Sequence, residues 1–153
     1  MRVAVVFLSV LMMLGCGGAS EPQVRLADGT ATQFSHWEGR WVLINYWAEW
    51  CAPCREEIPE LNRLHGERNR SGIIVLGVNY DGLRGEGLVD LIGAMGIRFP
   101  VLLDDPRERW DQMLPSVLPS TLLIAPDGTL HDVLVGPHDY ESFTRATQAT
   151  TAT

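Results

Sequence analysis

Two segments of the chain, residues 41–47 and 73–79, are almost continuously hydrophobic. This pattern predicts β-strands that are covered on both faces. Between them, from Ala52 to about Arg68, apolar residues recur at helical spacing, at Ile58, Leu61 and Leu64. The spacing predicts an amphipathic helix with one buried face. A strand, a helix and a second strand in this order predict a parallel βαβ unit.

Shorter patterns occupy the rest of the chain. They predict an edge strand at 23–26, a helix at 83–95, a strand at 100–104, a short helix at 107–114, strands at 121–124 and 130–135, and a closing helix from 139 to about 146. The last two strands are joined through Pro126-Asp127-Gly128, which predicts a hairpin because Pro fixes φ and Gly tolerates positive φ. The pattern therefore predicts one α/β domain over residues 23–146, with a central mixed β-sheet flanked by helices and a frayed tail at 147–153.

The first 15 residues have a basic start and an apolar run, which predicts a secretory signal peptide. The run is shorter than the roughly 20 residues that span a bilayer. Met13-Leu14-Gly15-Cys16 resembles a bacterial lipobox, in which the cysteine is lipidated; the alternative is an ordinary cleavage site with an incidental cysteine. Three cysteines are an odd number for an exported protein, and lipidation of Cys16 leaves one pair. Residues 16–22 would then be a lipid-anchored linker, in a membrane that the sequence does not identify.

Composition narrows the classes of partner. Hydrophobic residues make up 46% of the 153 positions, which supplies the core of a single domain. The formal net charge is −7, and removal of Arg2 with the signal peptide would make the chain more negative still. An acidic protein is a poor ligand for nucleic acid and for anionic lipid headgroups.

The cysteine pair lies in Trp50-Cys51-Ala52-Pro53-Cys54, where the first buried strand gives way to the helix. With Cys51 at the helix N-cap and Cys54 one turn later, the two sulfurs can form a small disulfide. The helix N-terminus can also stabilise a thiolate on Cys51. We therefore predict that Cys51 is the nucleophile that opens a substrate disulfide and that Cys54 resolves the mixed disulfide.

Other roles for the pair are a stapling disulfide, a zinc half-site, a copper-handling metallochaperone and a peroxidase. A disulfide that closes a loop of two intervening residues removes little entropy from the unfolded chain, so it would stabilise the fold only slightly. A zinc site would need two more ligands. The histidines that could supply them are scattered along the chain without ligand-like spacing, at His36, His65, His131 and His138. Copper metallochaperones usually pair a CxxxC motif with a His, whereas this chain has CxxC. A peroxidase needs Ser or Thr three residues before its reactive cysteine, and Ala48 is three residues before Cys51. No metal site is expected.

Residues 43–59, LINYWAEWCAPCREEIP, and 118–128, LPSTLLIAPDG, resemble the TlpA/ResA-like branch of the thioredoxin superfamily. The resemblance runs from about Gln23 to Arg145. It implies the thioredoxin fold with an extra βα insertion around Tyr80 to Asp104. It also implies a protein-disulfide oxidoreductase that acts on protein thiols or disulfides without a cofactor beyond its own cysteine pair. Ala-Pro between the cysteines, with no His, favours a reductant of exported proteins.

The resemblance assigns further site residues. Pro119 would follow a cis peptide bond, although cis and trans are equally compatible with the sequence, and Pro115 competes for the role. Backbone groups of Leu118 would then bind an extended substrate. Trp50, with Ala52 and Pro53, would complete the substrate-binding surface, although an aromatic residue here can also fill a core.

Glu57 lies three residues after Cys54, on the same helical face. Spacing alone favours a solvated carboxylate beside Glu56 and Glu60. In the resemblance, Glu57 transfers the proton of Cys54, because Asn45 occupies the position of the buried Asp of thioredoxin. Burial would raise the pKa of Glu57 toward a useful range.

By the same resemblance, a membrane thiol protein would donate electrons, and apocytochrome c or copper-site cysteines would accept them. We expect a monomer in the periplasm.

Overall fold

The two most hydrophobic segments form adjacent strands at the centre of a five-stranded sheet in the computed structural model, which describes Glu21 and residues 23–148. The strands are β1 (Val24–Arg25), β2 (Ala31–Thr32), β3 (Trp41–Trp47), β4 (Ile73–Asn79), β5 (Val101–Leu102), β6 (Ser120–Ile124) and β7 (Leu130–Val135). The helices are α1 (Ala52–Gly66), α2 (Arg68–Ser71), α3 (Gly85–Ala94) and α4 (Tyr140–Gln148), with 3-10 turns at Phe34–Trp37 and Arg107–Trp110. The predicted mixed α/β architecture is confirmed.

The order of the sheet is β5-β4-β3-β6-β7, and β1 and β2 form a separate hairpin. β3 runs parallel to β4 and β5 runs parallel to β4, whereas β6 and β7 are antiparallel additions. Because Tyr46 of β3 pairs with Ser120 of β6, the residues that follow β3 and those that precede β6 meet at one end of the sheet. This end carries both cysteines and the Leu118–Pro119 bond.

Each face of the sheet has its own hydrophobic core. Leu43 and Trp47 point to the face covered by α1, whose Ile58, Leu61 and Leu64 are buried against them. The alternate side chains of β3 lie in the core on the opposite face, at Val42, Ile44 and Tyr46. Burial on both faces explains why β3 lacks the alternation of a half-exposed strand.

The described domain differs from the predicted one mainly at element ends. α1 ends at Gly66, and α2 follows as a separate turn that stops at Gly72, where φ is 74°. The helix predicted at 107–114 is a 3-10 turn, ended by Asp111 with φ of 53°. The frayed tail was predicted to begin at residue 147. In the structure α4 continues to Gln148, and the side chain of Thr147 is buried.

The extra βα insertion is present as α3 and the two-residue β5. β2 and the turn at Phe34–Trp37 were not predicted from sequence. The signal peptide and Cys16 lie outside the described residues. Within those residues, no helix has the length and hydrophobicity to cross a bilayer.

Candidate active site

Cys51 and Cys54 are joined by a disulfide, with their Cα atoms 5.3 Å apart. Cys51 is the N-cap of α1, and Pro53 lies in the first turn, where its missing N–H leaves no helical bond unmade. The backbone N–H of Cys54 donates to the Sγ of Cys51 over 3.2 Å. The helix therefore begins with a peptide dipole directed at the sulfur that we predict to be the nucleophile, which favours its thiolate form.

The disulfide lies at the edge of the core on the α1 face of the sheet. Cys51 is 4% exposed and Cys54 is 1% exposed. Ala52 and Pro53, between them, are exposed. A partner protein can therefore contact the loop directly, whereas both cysteines are almost fully covered in the oxidised protein.

Glu57 is buried one turn after Cys54 and is only 2% exposed. Its two carboxylate oxygens have different hydrogen-bond donors. Oε2 accepts from the side-chain amide of Asn45 on β3, at 2.7 Å. Oε1 accepts from the backbone N–H of His138, in the loop before α4, at 2.9 Å. The solvated carboxylate that helical spacing favours is therefore not what the structure shows.

Burial raises the pKa of Glu57 to about 7, although both hydrogen bonds act in the opposite direction by stabilising the carboxylate. A carboxyl group with this pKa exchanges its proton readily near neutral pH. The position beside the cysteine pair makes Glu57 a suitable acid–base group for thiol chemistry.

Asn45 is also buried, at 1% exposure, and its Nδ2 donates to Thr121 Oγ1 on β6 at 3.0 Å as well as to Glu57. Sequence reasoning singled out Asn45 only for the acid that it replaces. It missed Thr121 and the His138 amide altogether. Every residue but proline has an N–H, so only the fold reveals that this one is directed at a carboxylate.

The Leu118–Pro119 peptide bond is cis, as the resemblance implies. Pro119 is buried, and the carbonyl oxygen of Pro119 accepts from Gly136 N at 2.9 Å. Leu118 packs against the core cluster that contains both cysteines. Within the described residues, no backbone hydrogen bond engages Leu118.

Trp50 is 64% exposed, so it does not fill the core. Its indole N–H donates to the carboxylate of Asp81, 3.2 Å from each oxygen, and its ring makes an edge contact with Tyr80. These contacts hold a large apolar surface directly before Cys51.

A metal site is one alternative role for the cysteine pair. The part of the chain that the structure describes contains no group of three or more His, Cys, Asp or Glu side chains placed to hold a metal ion.

A cysteine pair at a helix N-terminus, a buried carboxyl group one turn later and a neighbouring cis-proline loop together define a thiol–disulfide exchange site on a thioredoxin fold. Comparison with known proteins agrees with this class. Residues 19–133 match the AhpC/TSA family, and the chain belongs to that family.

The curated relatives are thiol–disulfide oxidoreductases. The chain is 31% identical over 134 residues to thiol-disulfide oxidoreductase ResA of Bacillus subtilis, which covers 80% of this chain and 73% of ResA. It is 34% identical over 110 residues to ResA of Oceanobacillus iheyensis, covering 71% of this chain and 56% of the relative. Together, family and site show a thiol–disulfide oxidoreductase of the ResA type.

A solved structure agrees with the fold. The secreted thiol-disulfide isomerase of Corynebacterium glutamicum superposes with a TM-score of 0.68 at 25% identity, over 84% of this chain and 81% of that one. The TlpA/ResA-like resemblance and the thioredoxin fold are confirmed.

The raised pKa of Glu57 predicts a specific pH dependence of stability. The unfolded chain loses this proton near pH 4.5 and the folded protein near 7, so the folded state binds it more tightly. The free energy of unfolding should therefore fall as pH rises from about 4.5 to 7, by about 3 kcal/mol from this group. Urea unfolding of the oxidised protein at pH 5 and pH 8 measures the fall, and Glu57→Gln should remove it.

The matched control is Glu56→Gln, which changes an exposed neighbour on the same helix. This variant should keep the wild-type difference between pH 5 and pH 8. If Glu57→Gln kept it as well, the carboxyl group would not be the origin of the effect.

Proposed function

We propose that this protein is an extracytoplasmic, membrane-anchored reductant of disulfides in exported proteins. The observation that carries the proposal is the Cys51–Cys54 disulfide at the N-terminus of α1 with buried Glu57 one turn later. No cofactor beyond the cysteine pair is required, because two thiols supply both electrons and both protons of a disulfide reduction.

The reaction has two exchanges. The Cys51 thiol gives its proton to solvent, and the resulting thiolate attacks a substrate disulfide to form a mixed disulfide. One substrate sulfur is released as a thiolate and takes up an equivalent proton from solvent. Cys54 then loses its proton to Glu57 and attacks the Cys51 sulfur, which re-forms the disulfide and releases the second substrate sulfur. Glu57 passes its proton on to that sulfur, so two electrons and two protons leave the enzyme.

Substrate docking is assigned to the surface around the pair. Leu118 has unengaged backbone groups at the same end of the sheet, so an extended peptide can pair with it beside the sulfurs. Exposed Trp50 supplies apolar contact, and Ala52 and Pro53 leave room for a substrate chain to approach. Pro119 shapes this loop.

Replacing each cysteine should separate the two exchanges. Cys51→Ser should reduce insulin-disulfide reduction to background, because no nucleophile remains. Cys54→Ser should still attack but accumulate a mixed disulfide with a cysteine-containing peptide, visible by mass spectrometry. In that complex the Leu118 loop should gain protection from hydrogen exchange.

Glu57→Gln, with both cysteines intact, should slow resolution of the mixed disulfide on the order of 100-fold, because Cys54 loses its proton acceptor. Cys16→Ser is the matched control, since it removes a cysteine outside the exchange site and should retain full activity. The mechanism is wrong if Cys51→Ser reduces insulin as fast as the wild type.

The direction of electron transfer, from this protein to its substrate, is proposed from the surroundings of the Cys51 sulfur. Ala52 and Pro53 offer no side-chain donor to the Cys51 sulfur, and its hydrogen bond within the described residues comes from the Cys54 amide. A thiolate stabilised by the helix N-terminus alone, without a further side-chain donor, is less stable than that of a strong oxidant, which favours a reductant. We expect a reduction potential more negative than about −200 mV, measured by equilibration with glutathione; a value near −120 mV would indicate an oxidant. Its electrons would come from a membrane thiol protein.

The extracytoplasmic location is proposed from residues 1–16 and from a relative that is described as secreted. If Cys16 carries the lipid, the wild-type chain should incorporate labelled fatty acid and sediment with membranes. Cys16→Ser should lose both properties, whereas Cys51→Ser should keep them. Labelling of Cys16→Ser at the wild-type level would show that the anchor is elsewhere.

We propose that the anchored domain acts as a monomer.

A further inference from the structure

The two oxygens of the Glu57 carboxylate are not equivalent. Oε1 is bound by the backbone N–H of His138, and Oε2 by the side-chain amide of Asn45. A peptide N–H can only donate, whereas a side-chain amide has one end that donates and one that accepts. Oε1 must therefore remain an acceptor in every protonation state that keeps the His138 bond. The carbonyl oxygen of a neutral carboxyl group is a better acceptor than its hydroxyl oxygen, so the His138 bond favours Oε1 as the carbonyl oxygen and Oε2 as the oxygen that carries the proton.

A proton on Oε2 conflicts with the present orientation of Asn45. Nδ2 of Asn45 already donates toward Oε2 at 2.7 Å, so two donors would face each other. Oδ1 of the same amide is buried and, among the residues that the structure describes, has no hydrogen-bond partner. Rotation of the amide by half a turn brings Oδ1 to the proton and removes the conflict.

Thr121 allows this rotation without losing its own bond. Its hydroxyl now accepts from Asn45 Nδ2 at 3.0 Å, and a hydroxyl can equally donate to Oδ1 after the rotation. Both orientations therefore keep the bonds of Asn45 to Glu57 and to Thr121.

We propose that Asn45 is a positioning residue whose side-chain amide reverses whenever Oε2 of Glu57 gains or loses a proton. The inference extends the proposed role of Glu57 in resolving the mixed disulfide. As Cys54 loses its S–H bond, an O–H bond forms on Oε2, Asn45 turns its Oδ1 to that proton, and no electrons move. Release of the proton restores the present arrangement.

The other ionisable groups near Glu57 leave this assignment intact. On α1, Cys54 precedes it by one turn, and Glu60 follows by one turn and accepts from Tyr140 N of α4 at 3.3 Å. The His138 ring is bonded to Ser142 instead. β3 and β6 contribute the neutral Asn45 and Thr121. Within the described residues, the carboxylate thus contacts only uncharged donors.

Nuclear magnetic resonance on the oxidised wild-type protein tests the inference without any enzymatic turnover. The carboxyl carbon of Glu57 should titrate with a midpoint near 7. Both side-chain N–H signals of Asn45 should shift with the same midpoint, because reversal costs one N–H its bond to Glu57 and the other its bond to Thr121. Protonation without reversal would shift mainly the first signal. If Glu57 titrates while the Asn45 signals stay fixed, the amide does not reverse and the inference is wrong.

A pair of buried asparagines supplies the variants. Asn45→Ala removes both the donor to the carboxylate and the acceptor for the protonated acid. Because the bond to the charged form is the stronger, the Glu57 midpoint should rise by up to about one pH unit. Asn79→Ala changes a buried asparagine on β4 whose side chain bonds to Leu83 N, and it should leave the midpoint unchanged. Equal shifts in both variants would contradict the assignment to Asn45. Loss of insulin reduction in the wild type would reject the proposed function but leave these titrations interpretable.

Discussion

Burial of one carboxyl group beneath the cysteine pair is the constraint on which the site depends. An acid taken out of water is costly unless hydrogen bonds replace its hydration. Glu57 obtains them from two different parts of the fold, Asn45 on β3 and the amide of His138 before α4. The sheet, α1 and the start of α4 must therefore be assembled together before this group reaches its working environment.

The same arrangement separates the roles of the two sulfurs. Cys51 caps α1 and receives the Cys54 amide, so its anion is stabilised before a substrate arrives. Cys54 is buried as well and lies one turn from Glu57. As the proposed resolving thiol it must lose its proton before it attacks, and the carboxyl group on the same face of α1 is placed to accept that proton.

The central strands and the cysteine pair could be predicted from sequence because their signals are local. The bounds of β3 and β4 match the hydrophobic runs, because nearly uninterrupted apolar residues must be covered on both faces of the sheet. β2 has two residues, too few for any period to be recognised. The end of α4 was missed because Thr147 is polar, yet its side chain is buried and bonds to the carbonyl of Thr144.

The burial of Glu57 could not be predicted from spacing, because Glu56 and Glu60 beside it suggest a solvated face. What covers it is the His138 loop, 81 positions later in the chain, and no local pattern reports such a contact. The family resemblance supplied the role that periodicity could not.

The neutral amide at position 45 has a consequence for proton transfer. An acid in place of Asn45 would put a second carboxyl group against Glu57, at the 2.7 Å separation of the present bond. Two carboxylates so close cannot both ionise, and their protons would be shared over two coupled steps. With the neutral Asn45, Glu57 is the one carboxyl group at this position and titrates in a single step. The proton of Cys54 then passes to an acceptor whose pKa is set by burial and by the neutral donors Asn45 and His138 N–H.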